Sequence, residues 1–338
     1  MIGKKRYVSI DIAKYVAVLL VICVHTFPLV EISSLLNTYW IQTICRLAIP
    51  FFFASAGFFF FRKWDEDPEV NKRNLIRFEK RVLKLYLIWT VIYLPYTIWD
   101  YAKAGFSVLS IVSYLRDFLL NGSYYHLWVL PTIMLAMPLV SMMYQRFGLL
   151  NTLKTCLIAY IIGYFINVYG PVWEQVPVVS FIYEFFMKAF ATSRNGIFFG
   201  PIFIGIGLLL SRTRRLPKQW IISGFLVSFI LLVLEVTLYR LFGILRDITS
   251  MYITLIPAVY FLMNWLLSMN IPDKQRYREL NKEASLIYMS HILFAKVLIN
   301  LFPRANLVVY FITLALSQLF ATLVITNKKQ FPILEHLL

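Results

Sequence analysis

The chain has 338 residues, of which 60% are hydrophobic and 15% are charged, and its mean hydropathy is +0.70. A soluble domain has about 45–50% apolar and about 25% charged residues, so this composition excludes an ordinary soluble globular protein. Lys and Arg number 33 against 17 Asp and Glu, which gives a net charge of +16. The basic residues lie in short segments between apolar runs, and this distribution argues against nucleic-acid binding.

Long apolar runs recur along the sequence, each close to the roughly 20 residues that a helix needs to cross a bilayer. We predict a single all-α membrane domain over residues 1–338, a polytopic bundle of about ten transmembrane helices without a soluble domain. The predicted spans are 8–30, 38–61, 82–100, 126–144, 151–169, 196–211, 219–239, 250–269, 285–301 and 305–326. The stretch 107–121 is apolar on one helical face, which predicts an interfacial or re-entrant helix. The longest hydrophilic stretch is 62–84.

Loops that are rich in basic residues alternate along the chain with loops that contain few of them. The rich set holds 23 Lys and Arg residues, in both tails and in the loops after spans 2, 4, 6 and 8, and includes Lys4, Lys5 and Arg6. The opposite loops hold 7, including Arg246. Because basic loops stay on the cytoplasmic side, both termini are predicted to be cytoplasmic in a multi-pass protein of the cell membrane.

The three cysteines indicate neither a disulfide framework nor a metal site. Cys23, Cys45 and Cys156 all lie in apolar runs, and no CxxC motif occurs. Their pattern predicts small buried hydrophobic side chains. The sequence contains neither HExxH nor clustered carboxylates, so no metal is expected.

The first predicted span carries three ionisable residues, Asp11, Lys14 and His25. At about 100° per residue they fall close to one helical face, and Lys14 and His25 lie about 16 Å apart along the axis. Ionisable groups at membrane depth are costly, so a shared face indicates a polar channel or cleft. Two simpler interpretations stay open, namely an ion pair of Asp11 with Lys14 and a structural histidine bonded to a neighbouring helix.

The second span combines Arg46, toward its predicted outer end, with Pro50 and Gly57. Proline removes a backbone donor and can therefore open a carbonyl to a site. Glycine permits close approach of a neighbouring helix. The phenylalanine runs of this span indicate only lipid or core contact.

Three further segments place polar residues at or inside predicted spans. His126 and Trp128 open the fourth span, where an ordinary aromatic belt at the interface is the alternative interpretation. Arg194 and Asn195 open the sixth span, and an arginine there opposes the helix dipole, which indicates an anion or carboxylate partner. His291 places another histidine inside the ninth span.

Taken in order, these motifs resemble the acyltransferase 3 family of integral membrane acyltransferases over nearly the whole chain. Members of that family carry an arginine ahead of a histidine in the first helix, an R…PFFF…SG-type second helix, an HLW-type motif and an IY…H segment. The matching residues are Lys14 and His25, Arg46 with 50–53 and Gly57, the HLW at 126–128, and Ile287 and Tyr288 with His291. Lys14 stands in place of the family's arginine, which keeps the charge but loses the bidentate fork.

The resemblance implies transfer of an acyl group, most often acetyl, from cytoplasmic acetyl-CoA to a hydroxyl of a glycan or other membrane-side acceptor. No tightly bound cofactor is implied. His25 would act as base or transient acyl carrier, since histidine suits proton transfer at neutral pH, with Arg46 and His126 as further catalytic residues. The implied substrate- and donor-binding residues are Asp11, Lys14, Trp128, Arg194, Asn195 and His291.

The run RNGIFFGPIFIGIG is also similar to the membrane part of the vancomycin-resistance serine racemases, which belongs to the same family. This similarity favours a second interpretation, a membrane carrier for a small amino acid such as serine. In that case Lys14, Arg46 and Arg194 would bind the carboxylate of the substrate. Because no soluble racemase domain is recognised before Leu338, racemase activity is not expected.

Overall fold

The computed structural model describes residues 6–105, 107–245 and 249–338, and these ranges contain helices but no β-strand. The predicted all-α class is therefore confirmed. Lys4, Lys5 and Arg246, which entered the charge count, lie outside the described residues. The α-helices in the described ranges are α1 Val8–Thr26, α2 Ser34–Tyr39, α3 Ala48–Phe61, α4 Pro68–Ala104, α5 Val108–Leu120, α6 Val129–Trp173, α7 Pro177–Phe190, α8 Gly200–Arg212, α9 Lys218–Leu241, α10 Leu255–Ser268, α11 Leu280–Leu301 and α12 Asn306–Asn327.

Seven helical stretches in the described part of the chain are long and apolar enough to cross a membrane. They are Val8–Thr26, Ser34–Phe61, Pro68–Ala104, Val129–Trp173, Lys218–Leu241, Gln275–Leu301 and Asn306–Asn327. All ten predicted spans coincide with helices, but two share α6, and two coincide with α8 and α10, which have only 13 and 14 residues. The chain is a multi-pass membrane protein, while the count of ten and the cytoplasmic termini stay predictions.

The hydrophilic stretch 62–84 is mostly helical, because α4 begins at Pro68 and continues for 37 residues. The Asp67 carboxylate accepts the N–H of Glu69 at 2.8 Å, and Pro68 occupies the first helical turn, so the start is well capped. The stretch is rich in Lys, Arg and Glu, which are good helix formers. At about 1.5 Å per residue, α4 is about 55 Å long and exceeds the hydrocarbon core of a bilayer.

The fourth and fifth predicted spans belong to one element, α6, interrupted at a single glycine. Gly148 has φ 72° and ψ −179°, a conformation outside the helical region that glycine adopts without steric cost. Where the sequence predicted a loop after the fourth span, the structure therefore has a sharp break in α6 at Gly148.

Two shorter helices, α5 and α7, turn their apolar faces outward. α5 matches the predicted helix at 107–121, whereas α7 was not predicted from the sequence. Val108 and Phe181 are 80% and 74% exposed. Polar groups point the other way and join the two helices: the Asn121 amide donates to the Phe190 carbonyl at 2.8 Å. Apolar side chains outside and polar groups inside suit a lipid environment.

The described residues divide into two compact units. The first unit takes those within Met1–Phe52, Arg214–Val236 and Pro257–Leu338. Here α1 packs against α11 and α12. The Tyr15 hydroxyl donates to Gln318 at 2.7 Å, and the Asn306 amide donates to the Thr26 carbonyl at 2.9 Å, so polar groups fix both ends of this contact.

The second unit takes Phe53–Thr213 and Thr237–Ile256. Within it α3 crosses α8 at glycines: a Cβ on Gly57 would collide with the carbonyl oxygen of Ile204, and one on Gly207 with that of Ala54. The two helix backbones therefore touch directly, as small residues allow in membranes. The predicted role of Gly57 is confirmed.

Candidate active site

The polar face of α1 points at α11, beginning at its predicted cytoplasmic end. Asp11 forms an ion pair with Arg6 at 2.8 Å, and Arg6 also donates to the Tyr277 carbonyl at 2.8 Å. The ammonium of Lys14 donates to Asn281, in the first turn of α11, at 2.8 Å. The partner of Asp11 is thus Arg6, and Lys14 is held beside the start of another helix.

The same α1 face ends at a pair of histidines. His25 lies half-buried in the last turn of α1, and its ring centroid is 5.3 Å from that of His291, which is fully buried on α11. His291 Nδ1 lies 2.6 Å from the Tyr288 carbonyl oxygen. Because a carbonyl only accepts, Nδ1 carries the proton, and Nε2 is the nitrogen left for acid–base chemistry.

Two adjacent imidazoles at the end of a polar face are chemically suited to proton transfer. Positive charge on both rings at once is disfavoured by their mutual repulsion. The Tyr288 ring, 5.9 Å from that of His291, and Phe52, 6.1 Å from Tyr288, close the surroundings with aromatic groups.

Arg46 lies where the second span is irregular. A π-helical turn, Trp40–Ile44, and a short 3-10 turn, Cys45–Leu47, precede α3. The Arg46 side chain donates to the nearly buried Gln42 at 2.8 Å. Pro50 supplies no N–H to the Arg46 carbonyl one turn earlier. Such interruptions of a helix are frequent at functional sites.

All three cysteines are buried, as the sequence predicted. Cys23 and Cys45 share a small core cluster with Ile41, against which Trp40 and Tyr310 pack. This cluster lies close in sequence to both His25 and Arg46, so it fixes the segments that carry them.

In the second unit, His126 is buried within aromatic rings. It is 1% exposed, and its ring meets Tyr93 edge-on at 4.6 Å and Tyr124 at 6.0 Å. The Tyr124 hydroxyl donates to Asp100 at 3.3 Å. Burial, followed by the Asp100 carboxylate, raises the pKa of Tyr124 above its usual value, so this phenol stays protonated. His126 therefore belongs to a built cluster, whereas Tyr125, 51% exposed, fits the aromatic belt.

Arg194 stacks on Trp128, with its guanidinium carbon 4.5 Å from the ring centroid. Trp128 in turn packs against Phe53 and Phe199 at 6.1 and 5.7 Å. A cation held on an indole face keeps a fixed direction, and its N–H groups suit an anionic or hydroxylic partner.

Arg194 does not open a helix, because α8 begins only at Gly200, so the prediction that it opposes the dipole of that helix is wrong. The reason is Asn195, whose side-chain oxygen accepts the N–H groups of Ile197 at 2.9 Å and Phe198 at 3.2 Å. Its amide also donates to the Thr192 carbonyl at 2.9 Å. Asn195 is fully buried and shapes the turn that carries Arg194.

The predicted site residues thus form two groups, one in each unit. Asp11, Lys14, His25, Arg46 and His291 belong to the first unit, and His126, Trp128, Arg194 and Asn195 to the second. Asn281 could not be predicted as the partner of Lys14, because the two residues are 267 positions apart and no local pattern links them. Arg6 and Gln42 were also not predicted as partners, although their separations of 5 and 4 positions from Asp11 and Arg46 could have indicated them. The described ranges hold no group of three or more His, Cys, Asp or Glu side chains arranged to bind a metal.

Comparison with known proteins decides the family. A sequence profile described as an acyltransferase domain, that of acyltransferase 3, matches residues 7–326. The chain belongs to the acyltransferase 3 family. The resemblance drawn from the motifs is therefore confirmed, and with it membership of a family of membrane acyltransferases.

Curated relatives of this acyltransferase 3 protein carry a different name. Two amino-acid racemases of Enterococcus faecalis are 28% and 26% identical over 79% and 85% of this chain, and over 37% and 41% of their own length. A serine/alanine racemase of Enterococcus gallinarum is 28% identical over 77% of the chain and 37% of its own length. The chain thus spans about two fifths of these relatives. No solved structure matches it.

Proposed function

We propose that the protein is an O-acyltransferase of the cell membrane that moves an acyl group, acetyl in the simplest case, from cytoplasmic acetyl-CoA to a hydroxyl-bearing acceptor. A glycan or another cell-envelope component on the membrane side is the acceptor class. The observation that carries the proposal is the contact of His25 with His291 at the end of a polar α1 face, in a chain of the acyltransferase 3 family.

In the proposed reaction His25 acts as the general base and accepts the proton of the acceptor hydroxyl. The acceptor hydroxyl loses its proton to the imidazole as its oxygen attacks the thioester carbonyl, and the tetrahedral oxyanion then expels the CoA sulfur. The C–S bond breaks, and the proton passes from the imidazolium to the leaving thiolate. We assign stabilisation of the oxyanion to the guanidinium of Arg46, which belongs to the first unit. We assign the orientation of the acceptor to His126 and Arg194, which belong to the second unit.

Lys14 is proposed to attract the phosphates of CoA. Replacing it with methionine removes a charged donor, a hydrogen bond of about 1.5–3 kcal/mol, so the KM for acetyl-CoA is expected to rise roughly 10- to 100-fold. Lys14→Arg keeps the charge and restores the residue typical of the family, so it is the matched control and should stay within a few-fold of wild type. Steady-state kinetics of thiol release measures both, and equal KM values for Lys14→Met and wild type would contradict the donor role.

The test of the proposed function uses the purified full chain in detergent with acetyl-CoA. We expect saturable binding and a slow release of free CoA thiol, because water can replace the missing acceptor. Propionyl-CoA and free CoA serve as competitors. Free CoA measures the binding that comes from the nucleotide part, and propionyl-CoA measures what the acyl group adds. Absence of binding and of thiol release would contradict the acyltransferase assignment.

A second candidate, a carrier for a small amino acid, rests on the names of the relatives. Proteins named amino-acid and serine/alanine racemase share this membrane portion. One of the cations named above would then bind the substrate carboxylate, either Lys14 or Arg46 in the first unit or Arg194 in the second. Uptake of radiolabelled serine into proteoliposomes without acetyl-CoA distinguishes the two functions, since an acyltransferase is not expected to accumulate serine.

A further inference from the structure

The first unit contains a cavity of about 360 Å³ that the proposed chemistry does not use. Its walls are α1, the start of α3 with the segment before it, and α10. The lining includes Ile12, Ala13, Val16, Leu47 and Trp265. An apolar cavity of about 150 Å³ already binds benzene. This one therefore has room for a larger hydrocarbon group.

The cavity offers almost nothing to a polar ligand. Ser9 contributes the hydroxyl of the lining, and that hydroxyl donates to the carbonyl of Leu266 at 2.6 Å. The remaining lining is hydrocarbon, the thioether of Met269 and the indole of Trp265. A phosphate, a sugar or an amino acid would lose its hydrogen bonds to water here without replacement. The ligand chemistry that fits is an alkyl chain.

The cavity and the polar face lie on opposite sides of α1. At about 100° per residue, the lining residues Ser9, Ala13, Val16 and Leu20 form one stripe. The stripe of Asp11, Lys14 and His25 is centred roughly 150° away. An alkyl chain in the cavity is thus separated from His25 by the helix itself. This placement favours a membrane lipid over the acyl chain of a reacting donor.

A cationic side chain, that of Arg215, lies beside the start of α1. The half-buried Arg215 hydrogen-bonds to Tyr7, which directly precedes α1. Ser9, in the first turn of α1, belongs to the lining, so Arg215 lies at the helix end where the cavity begins. Burial lowers the pKa of the Arg215 guanidinium, but arginine stays charged at neutral pH, so a phosphate beside it would form charge-assisted hydrogen bonds.

We propose that this cavity binds one acyl chain of an anionic phospholipid, with the phosphate of the lipid at Arg215. The charge complementarity agrees with the predicted topology, because the loop that contains Arg215 is predicted to be cytoplasmic, where anionic lipids attract basic residues. The lipid fills the space between α1 and α10 and links Arg215 to the start of α1. The proposal does not depend on the proposed acyl transfer.

The test is native mass spectrometry of the delipidated full chain, titrated with dioleoyl phosphatidylglycerol or dioleoyl phosphatidylcholine. Wild type is expected to retain one phosphatidylglycerol at least tenfold more tightly than phosphatidylcholine. Ala13→Phe fills the cavity and should lose this molecule, whereas Ala315→Phe, at an exposed position of α12, should keep it. Arg215→Gln should bind both lipids equally. Arg214→Gln, which changes the exposed neighbour, should keep the preference.

Gel filtration and thermal unfolding confirm that each variant is folded before its lipid count is compared. Retention of the tightly bound phosphatidylglycerol by a folded Ala13→Phe variant would overturn the cavity assignment. Equal lipid preference in wild type and Arg215→Gln would overturn the phosphate assignment. If octanoyl-CoA displaces the bound phosphatidylglycerol from wild type, the acyl chain of a donor, and not a membrane lipid, would be the occupant of the cavity. Ala13→Phe is the control, and its spectrum should not change at the same concentrations of octanoyl-CoA.

Discussion

His25→Ala is expected to lower the rate of CoA thiol release from acetyl-CoA by at least 100-fold while leaving acetyl-CoA binding nearly unchanged. A positioned general base contributes about 10²- to 10⁴-fold to a proton-transfer step. His25 is half-buried beside His291, and Lys14, to which we assign donor binding, lies about three turns away on α1. The loss of His25 should therefore affect the reaction rate and not the affinity for acetyl-CoA. Stopped-flow thiol detection and equilibrium binding of labelled acetyl-CoA measure the two effects.

The matched control for this variant is His336→Ala, which removes an exposed histidine near the C-terminus. We expect it to retain the full rate. A His25→Ala protein that keeps more than a tenth of the wild-type rate would contradict the role of His25 as base. If His25 instead carries the acyl group transiently, brief exposure to radiolabelled acetyl-CoA should label wild type and leave His25→Ala unlabelled.

Gly207→Ala is expected to destabilise the protein by roughly 1–3 kcal/mol, the usual cost of overpacking, and to lower its thermal midpoint by several degrees. The added Cβ would collide with the Ala54 carbonyl, the Phe58 N–H and the Gly57 backbone. All of these atoms belong to the α3 backbone, so no side-chain rotation relieves the contact. Thermal unfolding in detergent, followed by tryptophan fluorescence, gives the midpoint.

Gly205→Ala, two positions earlier in the same helix, provides the control. Its Cβ would meet the Leu153 Cδ2 atom at 3.1 Å, a flexible methyl group that can move. Because alanine favours a helix over glycine by about 1 kcal/mol, this variant is expected to be neutral or slightly stabilised. Equal midpoints for the two variants would contradict the direct contact of the α3 and α8 backbones.

Several parts of the candidate site were predictable because they depend on local periodicity. The placement of Asp11, Lys14 and His25 on one face of α1 follows from 3.6 residues per turn, and the structure confirms that Lys14 and His25 both contact α11. The close approach at Gly57 follows from its missing side chain. The exposed apolar face of α5 follows in the same way from its sequence pattern.

Other parts were not predictable. Lys14 and Asn281 are 267 positions apart, and nothing in either segment identifies the other. The start of α8 was placed too early, because the hydrogen bonds of the buried Asn195 decide where that turn ends. The hydrophilic segment 62–84 was not assigned as helix, because hydropathy measures transfer into the membrane and not helix formation.

The membrane environment, the helical class, the approximate positions of the apolar helices and the family of this protein all follow from its sequence. These properties depend on the thickness of a bilayer, the period of a helix and short motifs, all of which are readable within a window of about 20 residues. The contact of His25 with His291, the stacking of Arg194 on Trp128 and the apolar cavity beside α1 are visible only in the folded protein. Those features arise from packing between helices distant in sequence, where shape and non-local contacts select the partner.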